Sequence, residues 1–234
     1  MRYRTLLLDA DGTILDFDRS EAEALRGTLL QFGMPVNAEW IRDYHEINDR
    51  LWKQLERGEI LKKDLRWVRF SKLLELHGVS GDVHAMADHY VKELGARAYM
   101  LPGAEEACRT LAKAYRLFII TNGIAAVQQR RLGALPIFDL FQKIYISEEV
   151  GFEKPDIRYF QRVAADIPDY DPVTTLVVGD SLSSDIAGGI AAGLDTCWIN
   201  PKLLPIPADL PIRYTVPSMT ALAALLMRNE EDRL

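Results

Sequence analysis

Short apolar runs recur along this chain, separated mostly by stretches in which apolar residues return every three or four positions. Leu6, Leu7 and Leu8 form the first run, with the continuity of a strand covered on both faces. From Leu101 onward the alternation is regular. Helical "LPGAEEACRTLAKAY" precedes "RLFIITNG", "AAVQQRRLGAL" precedes "QKIYISEE", "IRYFQRVAADI" precedes "TTLVVGDS", and "DIAGGIAAG" precedes "DTCWIN". Strands alternating with helices predict βαβ units and a parallel sheet. A last run, "IRYTVP", predicts an edge strand ahead of a closing helix, "SMTALAALLMR".

Between Glu21 and Ala98 the texture differs, with helical periodicity and few strand-like runs. "EAEALRGTLLQFG" stops at Gly33, as a helix end should. "NAEWIRDYHEINDRLWKQLERGE" opens on an Asn cap and carries Trp40, Ile41, Tyr44, Ile47, Leu51, Trp52 and Leu55 on one stripe. "KKDLRWVRFSKLLELHG" and "DVHAMADHYVKELGARA" complete four helices. An all-helical block set between strand segments predicts a cap domain over 18–98, inserted in an α/β core of 1–17 and 99–234. The crossings are expected near Asp16–Arg19 and Arg97–Pro102.

Composition narrows what such a chain does. Its 234 residues can bury a substantial core, and 48% hydrophobic with 26% charged residues is globular composition rather than disorder. A net charge of −6 argues against a polynucleotide partner, so an anionic ligand needs local cations or a metal. The apolar runs are too short to span a bilayer, and Met1-Arg2-Tyr3-Arg4 leads into a strand rather than a signal-peptide core. Two cysteines make no disulfide framework, and Cys197 in "TCWI" is expected to be a buried strand thiol. The expected location is the cytoplasm, with no membrane partner.

The first strand then poses a problem. Asp9 and Asp11 stand at its end, where ionised carboxylates are costly unless a cation or several donors compensate them. They are either solvated turn formers or they hold something. Two further apolar strands end in small polar groups, Thr121 and Asn122 after "LFII", and Asp180 after "LVVG". In open parallel sheets ligands bind beyond the carboxyl ends of strands, near the switch in strand order, so these ends point to one shared site. Each piece also has a plain structural role. Asn122-Gly123 is a hairpin signal, although helix follows it; Lys154 in "GFEKPD" is a solvated loop lysine; Asp185 is an N-cap for "IAGGIAAG".

In this order, "DADGT", "TNG", "EKP" and "GDSLSSD" resemble the four motifs of the haloacid-dehalogenase superfamily of hydrolases, and the helical block resembles its small-helical cap. The resemblance implies a Rossmann-like core, a Mg²⁺ requirement and a phosphoryl-aspartate intermediate. It assigns Asp9 as nucleophile, Asp11 as general acid and base, Thr121 and the Asn122 amide as donors to phosphoryl oxygens, and Lys154 as the neutralising cation. The metal ligands it implies are the Asp9 side chain, the Asp11 carbonyl and Asp180, with Asp185 contacting metal-bound water or orienting Lys154. Dehalogenases need no acid two residues after the nucleophile, since halide leaves without a proton, so Asp11 favours a phosphatase. A phosphomutase shares these motifs. A catalytically inactive binding protein predicts a lost nucleophile or lysine, and neither is lost.

"EINDRLWKQLERGEI", "YISEEVGFEKPD" and "GDSLSSDIAGGIAAGLDTCWIN" resemble, more narrowly, bacterial 5′-nucleotidases acting on pyrimidine and modified nucleoside monophosphates. The expected substrate is therefore a small phosphorylated molecule, a nucleoside 5′-monophosphate, with phosphoglycolate or a sugar phosphate as the alternative. Trp52, Trp67 and Phe70 offer surfaces for a base or serve as cap core. Asn48, Arg66 and Arg69 are polar contacts or a solvated face.

Overall fold

The computed structural model describes residues 2–231; Met1 and residues 232–234, the extremes of the expected core segments, lie outside them. The chain divides into two compact units, one made of 1–17 with 98–234 and the other of 18–97.

Strand β1 (Thr5–Leu8) is buried at every position, and four helices follow it: α1 (Phe17–Gln31), α2 (Ala38–Glu56), α3 (Lys62–Leu76) and α4 (Val83–Gly95). Helix α1 starts inside the expected crossing, so the chain leaves the first unit in a helical turn rather than a linker. Asn37 caps α2 by accepting from the Trp40 amide at 3.0 Å, and Asp82 caps α4 through the His84 and Ala85 amides. Gly33 takes a left-handed φ of 66° just beyond α1, the conformation that ends a helix cheaply only at glycine.

In this helical unit Phe70 is fully buried against Tyr44 and Tyr90, so it is packing core and not a surface for a base. Asn48 and Arg69 are also buried, which removes the solvated-face reading for both. Asn48 donates to Glu21 Oε1 at 2.7 Å and accepts from Arg69 Nη1 at 3.4 Å, and the Arg69 guanidinium lies 4.3 Å from the Tyr90 ring centroid. His45 closes the cluster at 2.7 Å from Glu21 Oε2, and that bond raises its pKa to about 9 against the opposing effect of burial. Trp52, Trp67 and Arg66 are half-buried.

The remaining elements are α5 (Ala104–Leu111), β2 (Arg116–Thr121), α6 (Ala125–Gly133), β3 (Phe141–Ile146), α7 (Ser147–Val150), α8 (Ile157–Asp166), β4 (Thr175–Gly179), α9 (Ala187–Ala191), β5 (Asp195–Ile199), β6 (Tyr214–Val216) and α10 (Met219–Glu231). All neighbouring strands pair in parallel in the order β3-β2-β1-β4-β5-β6, a Rossmann-like sheet with β6 at its edge. Successive side chains enter opposite layers. Leu6, Leu8, Leu117, Ile119, Leu176 and Val178 pack with α5 and α10, whereas Leu7, Phe118, Ile120 and Val177 pack with Tyr159, Phe160 and Val163 of α8. Each such buried side chain contributes about 1.5–3 kcal/mol, and this double coverage explains the unbroken apolar runs. Cys108 and Cys197 are free, buried thiols.

Two local expectations are corrected. "QKIYISEE" stops being a strand at Ile146, because Ser147 opens α7. "DIAGGIAAG" is not one helix capped by Asp185: Leu182–Ile186 forms a π-type turn, its cap is Ser181 accepting from the Ser184 amide at 3.2 Å, and α9 follows. Two neighbouring glycines, Gly188 and Gly189, bring this stretch against Phe160 and Thr196, where any β-carbon would overlap them.

Candidate active site

The strand order reverses between β1 and β4, which both depart from the centre of the sheet, and the residues following them are Asp9 and Asp180. Asp9 is held to the neighbouring strand by its amide, which donates to Val178 O at 2.8 Å. Between β1 and α1 the chain turns tightly, with Ile14 and Leu15 amides both returning to Ala10 O. Gly12 makes that turn at φ 79°, and a β-carbon there would overlap the Asp180 carboxylate. The glycine is therefore required twice, by the backbone and by the approach of Asp180.

Lys154 is the centre of the charge arrangement. Its ammonium, 1% exposed, donates to Asp9 Oδ1 at 2.7 Å, to Asp185 Oδ1 at 2.6 Å and to Ile120 O at 2.9 Å, which uses all three of its protons. It is not a solvated loop lysine. Burial alone would lower its pKa, but the Asp185 and Asp9 carboxylates outweigh burial and raise it, so the cation is permanent. Asn122 fixes the backbone below it, donating to Lys154 O at 2.7 Å and accepting from Lys154 N at 2.9 Å. The Asn122 side chain thus acts on Lys154.

Asp185 is buried with both oxygens engaged, one by Lys154 and the other by the Ser181 amide at 3.1 Å. A β-carbon at Gly179 would collide with it, so the last residue of β4 must be glycine for Asp185 to reach the lysine. Asp180 follows β4 directly, and its main-chain carbonyl accepts from Trp198 Nε1 at 2.8 Å. Burial raises the Asp9 pKa from its ordinary value, with Asp185 and Asp180 adding to it and the neighbouring Lys154 opposing. Desolvation and the Asp185 charge push Asp180 up to about 7.

Oxygen atoms of Asp9, Asp180 and Asp185 all lie within 4.8 Å of one another. An all-oxygen, anionic donor set suits a hard divalent cation such as Mg²⁺, whose charge would offset the negative charge gathered there. The residues present fit that ion.

Sequence reasoning missed two residues. Gln128 and Arg131, three apart on one face of α6, are fully buried at a helix face that the sheet should make apolar. Gln128 Nε2 donates to Asp11 Oδ2 and to Thr121 Oγ1, both at 2.8 Å, and Arg131 Nη1 donates to Asp11 Oδ1 at 2.6 Å. The available signal was "VQQRRLG" itself, where long polar side chains recur at helical spacing three residues after "TNG".

Comparisons with known proteins give the family. A family model described as haloacid dehalogenase-like hydrolase matches residues 3–193. The chain belongs to this hydrolase family. It is 39% identical over 211 residues to the HAD-hydrolase YfnB of Bacillus subtilis, covering 90% of each chain. It is 36% identical over 236 residues to the pyrimidine 5′-nucleotidase PynA of Streptococcus pneumoniae, covering 100% of this chain and 99% of that one. To the pyrimidine 5′-nucleotidase YjjG of Escherichia coli it is 32% identical over 229 residues, 98% of this chain and 100% of the relative. A crystal structure of YfnB, described as bound to magnesium, superposes with a TM-score of 0.92 at 37% identity over 97% of this chain and 99% of that one. Solved dehalogenases at 20% identity and TM-scores of 0.73 and 0.74 share the fold. Within this HAD-like hydrolase no helix among the described residues is long and apolar enough to cross a membrane.

Proposed function

We propose that the protein is a Mg²⁺-dependent phosphatase of nucleoside 5′-monophosphates that works through an aspartyl-phosphate on Asp9. The observation that carries the phosphatase reading is the pairing of two chemically distinct carboxylates on one turn. Asp9 is locked against a permanent ammonium, while Asp11, two residues on, is held away from Lys154 by Gln128 and Arg131. One is placed as a nucleophile and the other as a proton carrier, and a halide leaving group needs only the first.

In the first step an Asp9 carboxylate oxygen bonds to phosphorus while the bond from phosphorus to the ester oxygen breaks. The electron pair stays on that oxygen, which takes a proton from Asp11. In the second step a water oxygen bonds to phosphorus, its proton returns to Asp11, and Asp9 leaves as carboxylate. The balance is phosphate monoester plus water giving alcohol plus phosphate. Such reactions are so slow in water that on the order of 20 kcal/mol or more of stabilisation is needed. Lys154 holds Asp9 and meets the charge of the transferring group, and Thr121 and the Asn122 amide donate to its oxygens. Asp185 orients Lys154, to which it is bonded at 2.6 Å. Asp9, Asp180 and the Asp11 carbonyl are the residues that would hold Mg²⁺, which when bound neutralises charge between the Asp9 carboxylate and the phosphate.

The nucleotide preference is supported by PynA and YjjG, which match along essentially the whole chain and not only at the catalytic motifs. Two free, buried thiols support a place in the reducing cytoplasm. The test is a hydrolysis panel of nucleoside monophosphates, sugar phosphates and phosphoglycolate, with and without Mg²⁺. Pyrimidine nucleotides turned over fastest, only with the metal, is the expected result; a sugar phosphate or phosphoglycolate leading the panel replaces the nucleotidase reading.

A further inference from the structure

Gln128 touches both groups that the phosphatase mechanism must keep in register, and it is fully buried where a helix facing a sheet ordinarily presents an apolar residue. The orientation of its amide is set by its neighbours. Nε2 faces the Asp11 carboxylate, which only accepts, and Oε1 faces Arg131 Nη1, which only donates, at 3.3 Å. The two protons on Nε2 are spent on Asp11 Oδ2 and Thr121 Oγ1. Space for this is provided by Gly123, where a β-carbon would overlap the Gln128 side chain.

The consequence for Thr121 follows from counting. A hydroxyl accepts two hydrogen bonds and donates one. Thr121 Oγ1 already accepts from Gln128 Nε2 at 2.8 Å and from the Gly123 amide at 3.1 Å. Both lone pairs are occupied, so its single proton has to be given outward. On Asp11 the same amide holds Oδ2 while Arg131 holds Oδ1, so the carboxylate has one set direction.

We propose that Gln128 is a positioning residue that makes Thr121 an obligate donor to the phosphoryl group and sets the direction of the Asp11 carboxylate, with Arg131 anchoring the amide. This rests on the phosphatase reading above. It separates two roles that a buried glutamine could have, since a packing role depends on its shape and this role depends on its two protons.

The test compares Gln128→Met, which keeps size without donors, and Gln128→Glu, which turns the donor into an acceptor. Both are assayed on a nucleoside monophosphate and on p-nitrophenyl phosphate, with the inhibition constant of inorganic phosphate measured alongside. In Gln128→Glu the Thr121 proton turns toward the new carboxylate, so phosphate inhibition should weaken by roughly tenfold or more, and by less in Gln128→Met. In Gln128→Met the misdirected Asp11 should depress kcat on the nucleotide by roughly tenfold more than on p-nitrophenyl phosphate, whose leaving group needs little protonation. If Gln128→Glu does not fold, shown by circular dichroism, the leaving-group split in Gln128→Met decides alone. Equal losses on both substrates with unchanged phosphate inhibition overturn the proposal and leave Gln128 as packing. A wild type that hydrolyses no phosphate monoester removes the phosphatase reading itself, a result separate from any behaviour of the variants.

Discussion

At the scale of single residues, the site is organised by one buried cation among surplus carboxylates. Removing one partner of a buried pair costs about 3–5 kcal/mol, because the charges left behind lose their compensation. Lys154→Met should therefore lower the melting temperature as well as turnover, and Lys154→Met combined with Asp185→Asn should recover stability without activity. A single variant that melts like wild type contradicts the charge arrangement in which Lys154 is 1% exposed between two carboxylates. The acids also predict a pH dependence. Asp180, pushed up to about 7, has a folded pKa above its unfolded value, so protonation stabilises the metal-free fold. That contribution is complete below the unfolded value near about 4 and is lost as pH rises through about 7. Mg²⁺ selects the ionised form, so its increment in melting temperature should be larger above about pH 8 than below about pH 5. Equal increments at both ends contradict a metal site built on Asp180.

At the scale of elements, the turns after β1 and β4 carry the specificity of the site, and glycine is what lets them close. Gly12 and Gly33 have similar left-handed φ angles of 79° and 66°, but only at Gly12 does a β-carbon meet another group, the Asp180 carboxylate. Gly33→Ala should cost about 1–2 kcal/mol of backbone strain and nothing in activity. Gly12→Ala should cost that and also weaken Mg²⁺ binding, measured by titration calorimetry. Equal metal affinity in Gly12→Ala and wild type would show that Asp180 is free to relax away. These turns also mark where sequence reasoning succeeds and stops. Asp9, Thr121 and Asp180 were legible because each interrupts an apolar run at a strand end, where β1, β2 and β4 were read from continuous burial. Gln128 and Arg131 were not, because their polarity was spent inside the protein on Asp11 and resembled an ordinary exposed helix face. Asp185 was read as a partner of Lys154 or of metal-bound water and equally as a helix cap; it bonds to Lys154, and the cap is Ser181, because a π-type turn has no signature distinct from an α-helical start.

At the scale of the whole molecule, the nucleotidase reading predicts that a change in the helical unit affects a nucleotide and p-nitrophenyl phosphate differently. Helical periodicity marks this unit in the sequence, and Phe70 is the packing core that was one of its two readings, whereas Asn48 and Arg69 are not the solvated face expected of them. Phe70, Asn48 and Arg69 are tied into a buried network with Glu21 and Tyr90, which a stripe of alternating apolar and charged residues does not reveal. Trp52 is half-buried. Losing a stacked ring costs about 1–3 kcal/mol. Trp52→Ala should lower kcat/KM for a nucleotide by the corresponding factor while leaving p-nitrophenyl phosphate nearly unchanged; a fall on both makes Trp52 a packing residue of its unit.

The central claim is that phosphate passes through Asp9, and trapping that adduct tests it most directly. The Asp11→Asn variant should accept a phosphoryl group from p-nitrophenyl phosphate, whose departure needs little acid, and then release it slowly because no base activates water. Acid quenching followed by peptide mass spectrometry should find one phosphoryl group on the peptide containing Asp9, present with Mg²⁺ and absent when Asp9→Asn is added. No adduct in Asp11→Asn, an adduct on another residue, or substantial turnover by Asp9→Asn would contradict the account.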